Sequence, residues 1–215
     1  MAQLPFKNGD RILFQGDSIT DCGWRDPAKV NTLGSGYVAM IRGLLSTRYP
    51  EVKVEIINRG VSGDRTEELL ARWKEDCLDL KPDWLSIKIG VNDVWRKRTE
   101  HLGGQAFIAQ DEYEANYRSL LEQAKAAGIA RFVLVSPTPI DDDPQTDLNQ
   151  LVAAYDGVVR ELARRYDAIY VPAREKLWQA IASAPGLRWT AEGCHPTTPG
   201  HAVIAAAWLE AVCGA

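Results

Sequence analysis

Hydrophobic positions along this chain follow two patterns, short apolar runs and longer stretches with a helical period. The short runs predict five strands, over Arg11–Gln15, Val52–Asn58, Trp84–Ile89, Arg131–Ser136 and Ala168–Val171. Alternation of strands with helices is typical of an α/β fold whose parallel sheet is covered on both faces. We therefore expect a five-stranded parallel sheet in a flavodoxin-like order, 2-1-3-4-5.

The stretches between the strands predict amphipathic helices. Three apolar faces have helical spacing, namely Leu69, Leu70, Trp73, Cys77 and Leu80; Tyr113, Tyr117, Leu120, Leu121 and Ala124; and Leu148, Leu151, Val152, Tyr155, Val159 and Leu162. Asp64 followed by Glu67 resembles a capping box that opens the first of these helices. Gly128 is expected to end the second helix, and Thr198 before Pro199 predicts the N-cap of a last helix.

Length and composition favour one soluble domain over residues 1–215. The net charge is −4 and 46% of the residues are hydrophobic. The basic cluster Arg96–Arg98 is too small for a nucleic-acid footprint, and we interpret it, like Asp141–Asp143, as solvated loop charge. No apolar run is long enough to span a membrane, and no signal-peptide core is visible. We expect a cytoplasmic protein with no nucleic-acid or membrane partner.

Cofactor and metal motifs are absent from the sequence. The four cysteines have no paired spacing, and neither C-x-x-C nor H-E-x-x-H occurs among the cysteines and three histidines. No P-loop or G-x-G-x-x-G supports nucleotide binding. We therefore expect reduced thiols, no metal and no cofactor. The longest irregular stretch, Trp95–Ala109, is predicted to be a functional loop.

A serine follows the first predicted strand, in the segment Phe14–Thr20. A side chain at that point projects from the carboxyl edge of the sheet, where ligands bind in open α/β folds. Ser18 is therefore a candidate nucleophile, although Gly16-Asp17-Ser18 alone also suits a simple turn. The choice depends on whether a base reaches it.

His195 is the candidate base. Glu192 lies three residues before it, so on a tight loop the carboxylate can accept the Nδ1 proton and leave Nε2 free to take a serine proton. A loop histidine without a role is the alternative. Of the other histidines, His101 is either a substrate contact or merely exposed, and His201 is expected to be structural.

Two further segments follow strand ends and reach the same edge as Ser18. Gly63, in Asn58–Asp64, offers a backbone N–H, and Asn92, in Ile89–Asp93, offers a side-chain N–H. With the Ser18 N–H these groups provide three donors for an oxyanion. Each segment alone could be a turn or a cap, but four of them at one edge are hard to assign to chance.

These four segments, in order and spacing, resemble the four blocks of the SGNH hydrolases, also called the GDSL esterase family. The residues that carry the resemblance are Gly16, Asp17, Ser18, Gly63, Asn92 and His195. The resemblance implies a three-layer α/β/α sandwich with Ser18 as nucleophile and His195 as base. It also implies an oxyanion hole made by the Ser18 N–H, the Gly63 N–H and the Asn92 side chain.

Three longer strings are similar to the branch of intracellular acetylxylan esterases, Gly16–Gly23, Leu33–Val38 and Asn92–Arg96. This resemblance implies a cofactor-independent ester hydrolase that deacetylates xylo-oligosaccharides and assembles into homo-oligomers. One position departs from the family, which usually has aspartate where this chain has Glu192. The longer side chain would overshoot by roughly 1–1.5 Å unless the loop retracts. A dyad, or an enzyme of impaired activity, is the alternative.

The predicted reaction is hydrolysis of small acyl esters through an acyl-serine intermediate. Asp17, Trp95 and Trp189 are candidate substrate contacts, with Trp24 a further possibility for sugar stacking; core packing is the alternative for each tryptophan. The absence of a G-x-S-x-G elbow excludes the α/β-hydrolase type. A lysophospholipase or thioesterase, a carbohydrate-binding relative without activity and a flavodoxin-like ligand carrier are the other hypotheses.

Overall fold

The five apolar runs form one parallel sheet in a computed structural model that describes residues 4–26 and 33–214. The strands are β1 (Arg11–Gly16), β2 (Glu55–Asn58), β3 (Trp84–Lys88), β4 (Phe132–Val135) and β5 (Ile169–Val171). Their order is β2-β1-β3-β4-β5, which confirms the predicted order. In the register of the sheet, Leu13 of β1 lies beside Ile57 of β2 and Leu85 of β3.

Helices cover both faces of this sheet. They are α1 (Ser18–Asp21), α2 (Tyr37–Arg48), α3 (Thr66–Ala71), α4 (Trp73–Asp76), α5 (Val91–Thr99), α6 (Gln110–Ala126), α7 (Asp147–Arg165), α8 (Ala173–Ser183) and α9 (Thr198–Cys213), with short 3₁₀ turns at Leu78–Leu80 and Glu100–Leu102. Helices α2, α8 and α9 pack together in one layer, whereas α3, α5, α6 and α7 pack together in the other. The predicted three-layer α/β/α sandwich is confirmed. Within the described residues, no helix has both the length and the apolarity needed to cross a membrane.

Alternation along β1 explains how the two layers are held. Phe14 is fully buried against Tyr37 of α2 and Trp208 of α9. The next side chain, Gln15, points to the opposite face and donates to the carbonyl of Asp76 in α4, at 2.5 Å. Successive side chains of a strand point to opposite faces, so β1 packs against both helix layers. This packing fixes the position of its last residues and of the turn that follows.

The first predicted helical face is divided between three short elements. Leu69, Trp73 and Cys77 are buried as expected, but α3 ends before Arg72 and α4 begins after it. The Arg72 guanidinium is held by Asp64 at 2.6 Å and by the carbonyl of Gly16 at 3.2 Å. The break between α3 and α4 therefore falls at Arg72, the residue that connects these two helices to the end of β1.

Two predicted caps are wrong by one residue, and the long loop is shorter than expected. Asp64 and Glu67 do not form a capping box; Arg65 is the N-cap, and Glu68 accepts from its N–H. The Asp64 carboxylate pairs with Arg72 instead. The last helix is preceded by Thr197 as N-cap, not Thr198. Trp95 lies within α5, which continues to Thr99 and so removes a third of the predicted loop.

Candidate active site

The turn between β1 and α1 presents Ser18 at the carboxyl edge of the sheet. A Cβ at Gly16 would lie 2.2 Å from the carbonyl oxygen of Lys88 on β3, so only glycine lets the strands approach this closely. Asp17 caps α1, accepting from the N–H of Ile19 at 2.9 Å. Ser18 itself is half-buried, whereas its neighbours in the chain are buried.

A chain of hydrogen bonds joins Ser18 to the loop before α9. Ser18 Oγ lies 2.7 Å from His195 Nε2, and Nδ1 of the same ring contacts a carboxylate oxygen of Glu192. Partial burial raises the pKa of Glu192, but hydrogen bonds from the His195 side chain and backbone outweigh it, so the pKa lies below its usual value. An ionised Glu192 holds the proton on Nδ1, which leaves Nε2 to accept the serine proton.

The loop itself accommodates the longer glutamate. The Glu192 oxygen that meets the ring also accepts from the His195 backbone N–H at 3.0 Å, so the carboxylate curls back over its own turn. Gly193 has φ +92°, in the left-handed region. Ala191 donates to the His195 carbonyl at 2.8 Å and closes the turn. The expected overshoot is therefore absorbed by backbone curvature between the two residues.

The candidate oxyanion donors come from three segments that are bonded to one another. Val61 donates to the Gly16 carbonyl at 2.9 Å, which joins the Gly63 loop to the Ser18 turn. Asn92, at the start of α5, donates from Nδ2 to the Asp64 carbonyl at 3.0 Å. In the part of the chain that the structure describes, the Gly63 N–H meets no protein acceptor. It remains available to a developing negative charge.

Asp21 is a site residue that the sequence argument missed. One of its carboxylate oxygens accepts from both the N–H and the hydroxyl of Ser62, at 3.0 and 2.8 Å. The carboxylate thus fixes the residue next to Gly63 from within the helix that begins at Ser18. No local signal reveals this contact, because the partners are 41 residues apart.

Asp93 is a second missed carboxylate, fully buried beside Asn92. One oxygen accepts from the N–H and the hydroxyl of Thr66, at 3.0 and 2.6 Å. The other oxygen is buried, and no described residue donates to it. Burial raises the pKa of Asp93, the Thr66 hydrogen bonds lower it, and the balance leaves it at about 7. Asp93 therefore fixes the start of α5 while titrating near neutrality.

His201 has the structural place that its position in the last helix suggested. Its Nδ1 accepts from the N–H of Tyr37 at 3.2 Å, capping α2, whose N-cap residue Gly36 has no side chain. Its Nε2 lies 3.4 Å from the sulfur of Cys22, the residue that ends α1. Burial, helped by the charge of Lys88, lowers the pKa of His201 to about 4, so the ring is neutral.

The predicted substrate contacts have different surroundings. Asp17 has no exposed surface and caps α1 beneath Ser18; its contact with substrate stays a prediction. Trp95 is half-buried with the Arg98 guanidinium 4.5 Å above its ring. Trp189 donates to the Ala184 carbonyl at 3.1 Å within its own loop. Trp24 donates to the carbonyl of Gly60 at 2.7 Å. Sugar contacts by the tryptophans stay predictions. A substrate contact by His101, which is exposed, also stays a prediction.

Metal binding has one grouping to consider within the described residues, Glu192, Cys194 and His195. Two of these side chains already share a hydrogen bond. Burial is the main cause that raises the pKa of the Cys194 thiol, to about 12, which disfavours the thiolate that a metal needs. The arrangement is suited to moving a proton between Ser18 and His195, with Glu192 orienting the ring, rather than to holding an ion.

Known proteins share this sequence and geometry. The chain is 35% identical to an acetylxylan esterase from Geobacillus stearothermophilus over 95% of this chain and 94% of the relative. The crystal structure of that esterase matches with a TM-score of 0.88, covering 96% of this chain and 95% of the other. Other solved structures of the same esterase are described as catalytic mutants.

A second solved structure is an α/β hydrolase from the metagenome of Lake Arreo, Spain. It has 30% identity, a TM-score of 0.88 and 98% coverage of both chains. Residues 14–203 match the family described as GDSL-like Lipase/Acylhydrolase, and this range includes all four predicted blocks. The predicted class, a carboxylic ester hydrolase, is thereby confirmed. The chain belongs to the GDSL-like lipase/acylhydrolase family.

Proposed function

We propose that this protein is a serine esterase that removes acetyl groups from xylo-oligosaccharides or related acetylated sugars. The observation that carries the proposal is the continuous hydrogen-bonded chain from Ser18 through His195 to Glu192 at the carboxyl edge of the sheet. Such a chain is what activates a serine for acyl transfer. The similarity to an acetylxylan esterase over nearly the whole length supports acetyl as the acyl group.

In the proposed mechanism, Ser18 Oγ attacks the ester carbonyl while its proton passes to His195 Nε2. The imidazolium is stabilised by the ionised carboxylate of Glu192. The same histidine then protonates the departing sugar oxygen, which leaves an acetyl-serine. In the second half, His195 takes a proton from water, the hydroxide attacks the acetyl carbon, and the proton returns to Ser18 as acetate leaves.

The negative charge that develops on the carbonyl oxygen is assigned to three donors, the N–H groups of Ser18 and Gly63 and the side chain of Asn92. Preorganised donors of this kind are usually the largest single contribution to catalysis. Asn92 is almost fully buried, 7% exposed. Its hydrogen bond to the Asp64 carbonyl occupies one amide proton, and we assign the other to the oxyanion.

The substrate and setting are also part of the proposal. We infer a small acylated substrate, with neither cofactor nor metal required, and a cytoplasmic homo-oligomer as the working form. Light scattering of the purified protein tests the assembly, since a monomer contradicts it. The relative's activity supports acetylated sugar as substrate, whereas a preference for long acyl chains would indicate a lysophospholipase or thioesterase.

The proposal is tested with a panel of acetylated xylo-oligosaccharides and p-nitrophenyl esters of increasing chain length. Wild type and Ser18→Ala are compared by acetate release and by chromophore release. We expect kcat/KM to be highest for acetyl esters, with acetate released from the sugars by wild type and not by Ser18→Ala. Equal rates for the two proteins, or no acetate from either, would contradict the proposal.

A further inference from the structure

Two charged clusters that the sequence predicts to be solvated loop charge, Arg96–Arg98 and Asp141–Asp143, meet beside the active site. Arg98, in the last turn of α5, forms an ion pair with Asp141, in the loop after β4. The Arg98 guanidinium also lies 4.5 Å above the ring of Trp95, one helical turn earlier. The guanidinium is therefore fixed by two interactions, a cation–π contact with Trp95 and an ion pair with Asp141.

Asp141 in turn contacts the loop that carries the candidate base. Its N–H donates to the Gly193 carbonyl at 2.6 Å. A Cβ added at residue 193 would lie 2.0 Å from a carboxylate oxygen of Asp141, so side chain and backbone both rest on this glycine. Asp141 itself has φ +58°, a conformation that few residues other than glycine, asparagine and aspartate adopt readily. The backbone conformation of the loop after β4 thus places Asp141 in contact with Gly193.

Apart from Cys194, which is buried in the core, few contacts from outside the base loop fix its tip, residues 192–195. In the described part of the chain, the hydrogen bonds that reach this tip from outside its own loop come from Asp141 and from Ser18. The side chains of Glu192 and His195 are about half exposed, 51% and 49%. Surrounding core cannot fix side chains that are this open to solvent.

Gly193 lies between Glu192 and His195 in the chain, so its position affects the distance between their side chains. Helix α5 carries both Arg98 and, six residues earlier, Asn92. The sequence of contacts Arg98–Asp141–Gly193 therefore connects the helix of the oxyanion donor to the loop of the base. Acyl transfer requires that the distance between the oxyanion donor, Asn92, and the base, His195, be fixed.

We propose that Asp141 and Arg98 are positioning residues that hold the Glu192–His195 tip in register with the oxyanion side of the site. The inference rests on the proposed function, because it assigns the relay a role in acyl transfer. The ion pair is 41% and 36% exposed on its two sides, so it contributes little to global stability. Its effect is on the reactivity of Ser18.

The test compares Asp141→Asn and Arg98→Gln with the double variant. Asparagine keeps the left-handed backbone and the N–H to Gly193 but loses the charge. The neighbouring substitutions Asp142→Asn and Lys97→Gln are matched controls, since Asp142 is exposed and Lys97 lies over Phe107 instead. The rate at which a fluorophosphonate labels Ser18 is measured with kcat, KM and Tm for an acetyl ester.

We expect each single variant to slow labelling and kcat by about tenfold, with KM and Tm close to wild type. The double variant should be no slower than the singles, because both remove the same contact. Arg98→Lys should restore most of the rate. Salt at about 1 M should slow wild type but not the double variant, since the pair is open to screening.

Three results would overturn the proposal. These are rates equal to those of the control variants, a double variant whose loss is the product of the single losses, and losses that parallel a fall in Tm. Labelling of Ser18 does not depend on the natural substrate. A protein that labels rapidly yet releases no acetate from sugars would contradict the proposed function and leave the positioning role to be decided by the labelling rates.

Discussion

The two halves of the active site differ in how they are built. The nucleophile half is buried, with Asp17 fully buried and Asp21 only 9% exposed. Asp17 accepts a hydrogen bond within its own turn, and Asp21 accepts from Ser62 in the Gly63 loop. The base half is a loop whose two reactive side chains are about half exposed. The first half is fixed by burial, whereas the second is fixed by a few surface contacts.

This difference explains where the chain departs from its family. A longer carboxylate at Glu192 is accommodated because the exposed loop can curl, through Gly193, to bring the oxygen back to His195. No similar adjustment is open at Gly16, where a single added carbon would meet a backbone oxygen at 2.2 Å. Sequence variation should therefore be tolerated on the base side and not on the nucleophile side.

The largest effect is expected from the buried half, at Asn92. Asn92→Ala removes an oxyanion donor and should lower kcat by about 10²–10³, the range for loss of one such donor. Asn116→Ala is the control, because it removes an amide that donates to Thr66 on the neighbouring helix. Steady-state kinetics on an acetyl ester measure both. Similar losses in the two variants would mean that the asparagine acts through stability.

In the exposed half, Gly193→Ala should lower kcat by about 10², because the methyl group would collide with Asp141 and move the relay by about 1 Å. Gly103→Ala is the matched control, since Gly103 also has a positive φ, +72°, and a Cβ there meets nothing within 4 Å. Both variants place alanine in a left-handed conformation, so both should lower Tm to some extent, whereas only Gly193→Ala should lower kcat. Full activity in Gly193→Ala would show that the loop accommodates the methyl group without displacing Glu192 and His195, which contradicts this prediction.

A smaller effect, measured on stability, is expected at Asp93. Its pKa in the folded protein, about 7, lies above that of an unfolded aspartate, about 3.9. The folded state therefore binds the proton more tightly, and the stability this confers is present below about pH 4 and lost as pH rises through 7. Asp93→Asn should gain Tm relative to wild type as pH rises from about 5 to about 8. Asp142→Asn, the exposed control, should show no such trend.

Much of the fold and the reactive core of the site could be predicted from the sequence. The strands followed from apolar runs, because a strand buried on both faces has a clear pattern, and their order followed from the alternation of strands with helices. Ser18 and His195 followed from their places after or before regular elements. The supporting contacts could not be predicted. Asp21 meets Ser62 and Asp141 meets Gly193 only because loops distant in sequence converge, and hydrophobic periodicity carries no information about the path of a loop.

The most direct test of the central claim, that a glutamate completes the relay, is kcat for Glu192→Ala beside Glu192→Asp on one acetyl ester. We predict that alanine lowers kcat by more than about tenfold, since the imidazolium loses its carboxylate. Aspartate should leave kcat equal or higher, because it restores the usual family residue. Unchanged kcat in Glu192→Ala would contradict the account.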